Sequence, residues 1–146
     1  MIESGKHGPV GHLSVRVRYP ETDRMGIAWH GHYLTWFELG RTEWMRDAGC
    51  PYGKLEDEEG IFFPVIGVGA EYRAAARYDD RLCVRTRLVK LGGARVRFEY
   101  EVLREETDQL LATGFTEHGA VDAEGKACRL PQALRQRLSA LGDRPR

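Results

Sequence analysis

The chain has no excess of either charge: 22 Lys and Arg balance 22 Asp and Glu, for a formal net charge of zero at pH 7. Without a field of one sign, nothing steers it to nucleic acid or holds it on an anionic lipid surface, and neither is expected as a partner. No apolar run approaches the roughly 20 residues that cross a bilayer, and the stretch from Met1 to His12 lacks the apolar segment of a signal peptide. A cytoplasmic protein without a membrane span is therefore expected. Cysteine is scarce: Cys50, Cys83 and Cys128 stand far apart with no Cys-x-x-Cys spacing, which argues against a disulfide framework and a zinc ribbon and leaves free, structural thiols. No repeat or linker divides the 146 residues, and a 42% hydrophobic content is enough for one modest core, so a single domain over 1–146 is expected.

The apolar pattern is that of an α+β protein. Leu13 to Tyr19 alternates apolar and polar residues with the period of a half-buried strand. From His32 to Ala48 the apolar positions Leu34, Trp36, Phe37, Leu39, Trp44, Met45 and Ala48 spread around most of a helical circumference, and Gly49 with Pro51 ends the run. Such a helix has to be covered on several sides. Lys54 to Gly60 is charged and fits a loop or short helix; Ile61 to Tyr72 reads as a long strand whose glycines predict bulges or sharp curvature. Arg81 to Lys90, Arg95 to Leu103 and Leu110 to Val121 alternate as strands joined by the turns 91–94 and 105–108, which predicts an antiparallel meander. Ala133 to Leu141, after Pro131, has the spacing of a short terminal helix, and residues 142–146 are expected to fray.

Between the first strand and the long helix the order is Tyr-x-x-Thr-Asp-x-x-Gly-x-x-x-His-x-x-Tyr-x-x-x-Phe-Glu-x-x-Arg-x-Glu-Trp, from Tyr19 to Trp44. It strongly resembles the acyl-CoA thioesterases of the hotdog fold, in the branch of 4-hydroxybenzoyl-CoA thioesterase. The likeness continues at Ala76-Arg77-Tyr78-Asp79-Asp80, at Val121 to Lys126 and at Leu130-Pro131, and covers roughly residues 13–139. The resemblance implies a five-stranded curved antiparallel sheet wrapped around the long helix. It also implies edge-to-edge dimers that share their active sites, and pairing of those dimers into tetramers. The substrate it implies is an acyl-CoA, or an acyl group on acyl carrier protein, with coenzyme A as part of the substrate and no separate cofactor.

Thioester hydrolysis needs a nucleophile or an activated water, and donors for the oxyanion that develops on attack. Asp23 matches the family's catalytic acid and can act as nucleophile or general base; by its residues alone, an aspartate before a helix is equally a turn or capping residue. Glu21, separated from Asp23 by one residue, is a weaker candidate expected to face solvent or an arginine. Gly26 and Gly31 bracket Ile27, Ala28, Trp29 and His30, and let the backbone approach a ligand. A helix starting near His30 to His32 points unpaired N–H groups outward, and by resemblance the main-chain N–H at His30 is the oxyanion donor. The His30 imidazole is a second candidate there, as an orienting group. Ile27, Trp29, His32 and Tyr33 join the two glycines as expected substrate contacts, with Tyr33 near the pocket and Phe37 in the core. Many relatives carry asparagine where this chain has His32. The pair His30 and His32 has no third ligand at a familiar spacing, so no metal site is expected.

Glu38, Arg41 and Glu43 fit a buried or interfacial ion pair, with Glu38 as a reserve carboxylate. Arginine pairs at 16/18, 85/87 and 95/97, and Arg73, Arg77 and Arg81, offer either a solvated sheet face or a clamp for CoA phosphates. Two other readings stay open: a hydratase or dehydratase of the same fold, and a non-catalytic module that binds acyl-CoA or acyl carrier protein.

Overall fold

Period-two alternation becomes a six-stranded antiparallel sheet in the computed structural model, which describes residues 2–5 and 8–141, with positions 2–5, 8 and 141 described by their backbone alone. In chain order the strands are β1 (Ile2–Gly5), β2 (Gly8–Arg16), β3 (Val65–Tyr72), β4 (Arg81–Leu91), β5 (Arg95–Arg104) and β6 (Gln109–Gly119). Across the sheet they run β1-β2-β4-β5-β6-β3. The expected five strands are present, and the short β1 adds a sixth at the β2 edge. The first strand lies earlier than Leu13 to Tyr19, because Tyr19–Glu21 turns into a 3₁₀ helix with Pro20 near its start. The strand expected from Ile61 begins only at Val65, after Pro64. A register shift between Val65 and Gly67 supplies the irregularity expected of this glycine-containing strand. The expected frayed tail, residues 142–146, lies outside the described residues.

Helix α1 (His32–Asp47) lies against the concave face of this sheet. Alternate residues of the central strands meet it: Leu82, Val84, Thr86 and Leu88 from β4, and Val96, Phe98, Tyr100 and Val102 from β5, are all buried. Phe37 is fully buried and stacks on Tyr100 with ring centroids 4.5 Å apart, and Trp44 meets the edge of Phe98 at 5.5 Å. Helix and sheet touch closely at Gly40, where an added Cβ would lie 2.5 Å from the Thr86 hydroxyl. That distance leaves no room for a side chain. The chain leaves α1 through a one-turn helix α2 (Tyr52–Lys54) and a π turn over Leu55–Glu59, and ends on helix α3 (Gln132–Leu141), whose Leu134 and Leu138 are buried.

The charges on α1 are arranged differently from the expected ion pair. Glu38 is exposed and Glu43 pairs with Arg46 one turn on. Arg41 is buried, with no carboxylate partner among the described residues. Its guanidinium instead donates to the Tyr100 hydroxyl at 3.4 Å and lies over the Tyr52 ring. A polar chain continues from there: Tyr100 Oη to Thr116 Oγ1 at 2.6 Å, Thr116 Oγ1 to His118 Nε2 at 2.8 Å, and His118 Nδ1 to the Phe63 carbonyl at 3.1 Å. With His118 neutral and its Nδ1–H given to the Phe63 carbonyl, the protons of the chain all point one way: Nε2 accepts from Thr116, and Thr116 accepts from Tyr100, which accepts from Arg41. That order is satisfied only by neutral His118. Burial first, and the Arg41 charge second, push the His118 pKa down to about 4.

An unfolded His118 takes up its proton near pH 6.5. Between that pH and about 4 the unfolded chain therefore binds more protons than the folded one, and stability falls as the pH falls. Wild type is expected to lose up to about 2 kcal/mol more than His118→Gln between pH 7 and pH 4.5. Urea unfolding of both proteins at the two pH values checks it; parallel losses would remove His118 as the source.

Candidate active site

The loop between β2 and α1 is folded by its own backbone. Thr22 and Ala28 form an isolated antiparallel bridge, Asp23 N–H donates to the Ile27 carbonyl at 2.9 Å, and Gly26 N–H donates to the Asp23 carbonyl at 2.9 Å. Gly26 closes this turn at φ +76°, a left-handed conformation that favours glycine. The Asp23 carboxylate accepts the Met25 N–H at 2.8 Å through Oδ1, which fixes the side chain's direction. No hydrogen bond among the described residues engages its second oxygen.

The folded loop then docks on the segment between β3 and β4. Ala28 N–H donates to the Ala76 carbonyl at 2.8 Å, and Ile27 bridges Arg77. Tyr33, in the first turn of α1, is buried, and its hydroxyl accepts the Ala76 N–H at 3.4 Å. Arg104, at the end of β5, holds this floor from behind, donating to the Ala75 carbonyl at 2.7 Å and to Asp80 Oδ2 at 3.2 Å. The Ala76–Asp80 segment is thus both a turn and the surface that seats the loop: Asp79 adopts φ 68°, and Asp80 Oδ2 accepts the Arg77 N–H at 2.9 Å.

Loop, helix start and the end of β3 border an open cavity of about 430 Å³, lined by Asp23, Met25, Ile27, Ala28, His30, Tyr33, Tyr72, Arg73, Ala74 and Ala75. Of the residues singled out from sequence, Asp23, Ile27, His30 and Tyr33 therefore share one wall-to-wall space. Gly26, Trp29, Gly31 and His32 flank it without lining it. The Trp29 indole folds over Gly31, where a Cβ would collide with the ring, and meets the His32 ring edge-on at 5.5 Å. Gly31 itself has helical angles, so its glycine answers to the indole and not to backbone strain. Glu21 is buried and points back to Arg18, accepting the Arg18 N–H at 2.7 Å and pairing with its guanidinium at 3.4 Å. Of its two expected fates, the arginine partner is the one realised.

Tyr72 was not among the site residues read from sequence. It ends β3, half-exposed; its hydroxyl donates to the His30 carbonyl at 2.8 Å and its ring meets Tyr33 edge-on at 5.0 Å. Burial raises the pKa of both phenols, for Tyr33 against a smaller opposing effect of the Ala76 N–H, so both hydroxyls keep their protons at neutral pH. The only signal in the sequence was position: Tyr72 stands two residues before the Ala74-Ala75-Ala76 run that leads into Arg77-Tyr78-Asp79-Asp80. Among the described residues, the backbone N–H groups of His30 and of Gly31, the two residues just before α1, donate to nothing.

Residues 17–138 match the thioesterase-like superfamily. The chain is 31% identical over 115 residues to a putative acyl-CoA thioesterase, YneP, of Bacillus subtilis, covering 79% of this chain and 82% of the relative. It is 35% identical over 104 residues to the acyl-CoA thioesterase YbgC of Haemophilus influenzae, covering 71% and 73%. The crystal structure of a DHNA-CoA thioesterase from Staphylococcus aureus superposes with a TM-score of 0.85 at 30% identity, covering 90% of this chain and 89% of that one. A helix cradled in a curved antiparallel sheet, a loop-borne carboxylate beside the helix start, and these likenesses place the chain in the thioesterase-like superfamily, among its hotdog-fold acyl-CoA thioesterases.

Proposed function

We propose that this protein hydrolyses the thioester of a small to medium aliphatic or aromatic acyl-CoA, with Asp23 as nucleophile or general base and the backbone N–H at His30 as oxyanion donor. The observation that carries this reading is the cavity of about 430 Å³ into which Asp23 and His30 both face, at the start of α1. Its size suits a modest acyl group, and its lining of Ile27, Ala28, Ala74 and Ala75 is apolar between the polar ends. In the nucleophilic form, the Asp23 carboxylate adds to the carbonyl, the thiolate of CoA leaves, and water cleaves the resulting anhydride. In the general-base form, Asp23 takes a proton from water as the hydroxide adds, and the tetrahedral intermediate expels the thiolate. Either way the carbonyl oxygen gains negative charge beside the free N–H groups of a helix start, whose dipole favours it.

The reading includes self-association. β3 is an edge strand, and Val65, Ile66, Val68 and Tyr72 on it are exposed, as are Leu34 and Leu39 on the outer side of α1. A second copy pairing β3 to β3 about a twofold axis normal to the sheet satisfies both the open edge and its apolar side chains. Such pairing is antiparallel and turns the partner end for end. The turn between β4 and β5, which in one chain lies at the far end of the strands from Asp23, then comes from the partner to the same side as Asp23. At about 4.8 Å per strand, the partner's β5 is roughly 14 Å from β3.

Beside that turn stand three cations with no carboxylate partner among the described residues: Lys90, Arg95 and Arg129. Arg85 and Arg87 share Glu101, and Arg97 pairs with Glu117 at 2.9 Å. Lys90 and Arg95 line a second cavity of about 410 Å³, and Arg129 lies against the same Gly92-Gly93 turn. We assign the CoA phosphates to this corner.

Asp23→Asn is expected to lower kcat at least 100-fold with the fold intact, the loss typical of a positioned acid–base or nucleophilic group. Free thiol released from acetyl-, hexanoyl-, benzoyl- and 4-hydroxybenzoyl-CoA measures it. Hydration of an enoyl-CoA without thiol release would instead support a hydratase, and tight binding without turnover a carrier module. The triple variant Lys90→Ala, Arg95→Ala, Arg129→Ala should raise KM for acyl-CoA about tenfold and leave turnover of the matching acyl-pantetheine unchanged. An equal effect on both substrates would count against the phosphate corner.

A further inference from the structure

We infer that Tyr72 is a positioning residue for the oxyanion donor, an inference that rests on the thioesterase reading of the same cavity. His30 is anchored from two directions. Ahead of it, Trp29 N–H donates to the Glu21 carbonyl at 2.8 Å, and Glu21 is itself buried and tied to Arg18. Behind it, the His30 carbonyl receives the Tyr72 hydroxyl at 2.8 Å. Between these anchors lie the two backbone donors with no partner among the described residues, at His30 and Gly31.

The Tyr72 contact has two physical consequences. It removes the freedom of the His30–Gly31 peptide to rotate, so its N–H and that of His30 keep one direction with respect to the cavity. It also polarises that peptide, because a carbonyl that accepts a hydrogen bond makes the N–H of the same unit a better donor. Tyr72 is well placed to hold the peptide in this way. It is fixed at the end of a strand, its ring is braced by Tyr33 at 5.0 Å, and it keeps its proton because burial raises its pKa. It touches the His30–Gly31 peptide, the unit that follows the His30 donor, and not the carbonyl to be cleaved, so its effect is expected in the transition state more than in substrate binding. Since Tyr72 also closes the edge proposed to pair with a second copy, the same side chain links that edge to the donor.

Tyr72→Phe keeps the ring and removes only the hydroxyl. Its kcat is expected to fall about tenfold while KM, the thermal midpoint and the elution volume on size exclusion stay at wild-type values. Affinity for a trifluoromethyl-ketone analogue of acyl-CoA, which forms a tetrahedral oxyanion, should fall by a similar factor, and affinity for the thioether analogue should not change. A merely structural tyrosine would weaken both analogues together or lower the thermal midpoint. Turnover of Tyr72→Phe within twofold of wild type, with Asp23→Asn inactive, would overturn the role of Tyr72 and leave the thioesterase reading standing. Full activity of Asp23→Asn would overturn that reading of the site, and this inference with it.

Discussion

Burial of α1 is the constraint on which the rest of the structure depends. A helix carrying Trp36, Phe37, Trp44 and Met45 inward has more apolar surface than a flat sheet can cover, so the sheet must bend around it. Register shifts at Val65/Gly67, Leu88/Lys90 and Val102/Leu103 accommodate that bend. Glycine at position 40 lets the helix backbone reach β4, and glycine at 114 admits the Phe37 ring beside β6. The charge buried with the helix, Arg41, is accommodated by a polar thread of hydroxyls and a neutral imidazole running across the core to Phe63.

The same burial makes the site. Because α1 is fixed against the sheet, its first turn is fixed too, and Tyr33 meets Ala76 where β3 gives way to β4. The loop before the helix then has a rigid floor to dock on, through Ala28 to Ala76 and Ile27 to Arg77. A short loop supplies both the carboxylate and the donors, while the helix start and the strand end hold them in relation to each other. Rigid elements carry the precision here, and the loop carries the groups proposed for the chemistry.

Much of this was legible in the order of residues. The all-round apolar helix from His32 required a cover, the alternation from Arg81 to Val121 required a meander, and the turns at 91–94 and 105–108 required antiparallel neighbours; all three stand in the fold. Local signals misjudged Tyr19, whose aromatic ring continues a strand-like alternation although Pro20 next to it turns the chain. They also misjudged Arg41: charges at helical spacing on one helix suggested pairing, whereas the partner that mattered, Tyr100, lies 59 residues away on β5.

The residues from Tyr19 to Trp44 by themselves determined the family resemblance, the helix, and which carboxylate stands in the motif, because those depend on short spacings along one chain. Only the tertiary structure decided what surrounds that carboxylate. Tyr72 and Ala74 to Ala75 join Asp23, His30 and Tyr33 around one cavity because β3 pairs with β6 and ends beside the helix start, while Trp29 and His32 are turned toward each other at its flank. Such neighbours are chosen by strand register and helix docking, interactions between distant segments whose geometry is set only when the whole core packs.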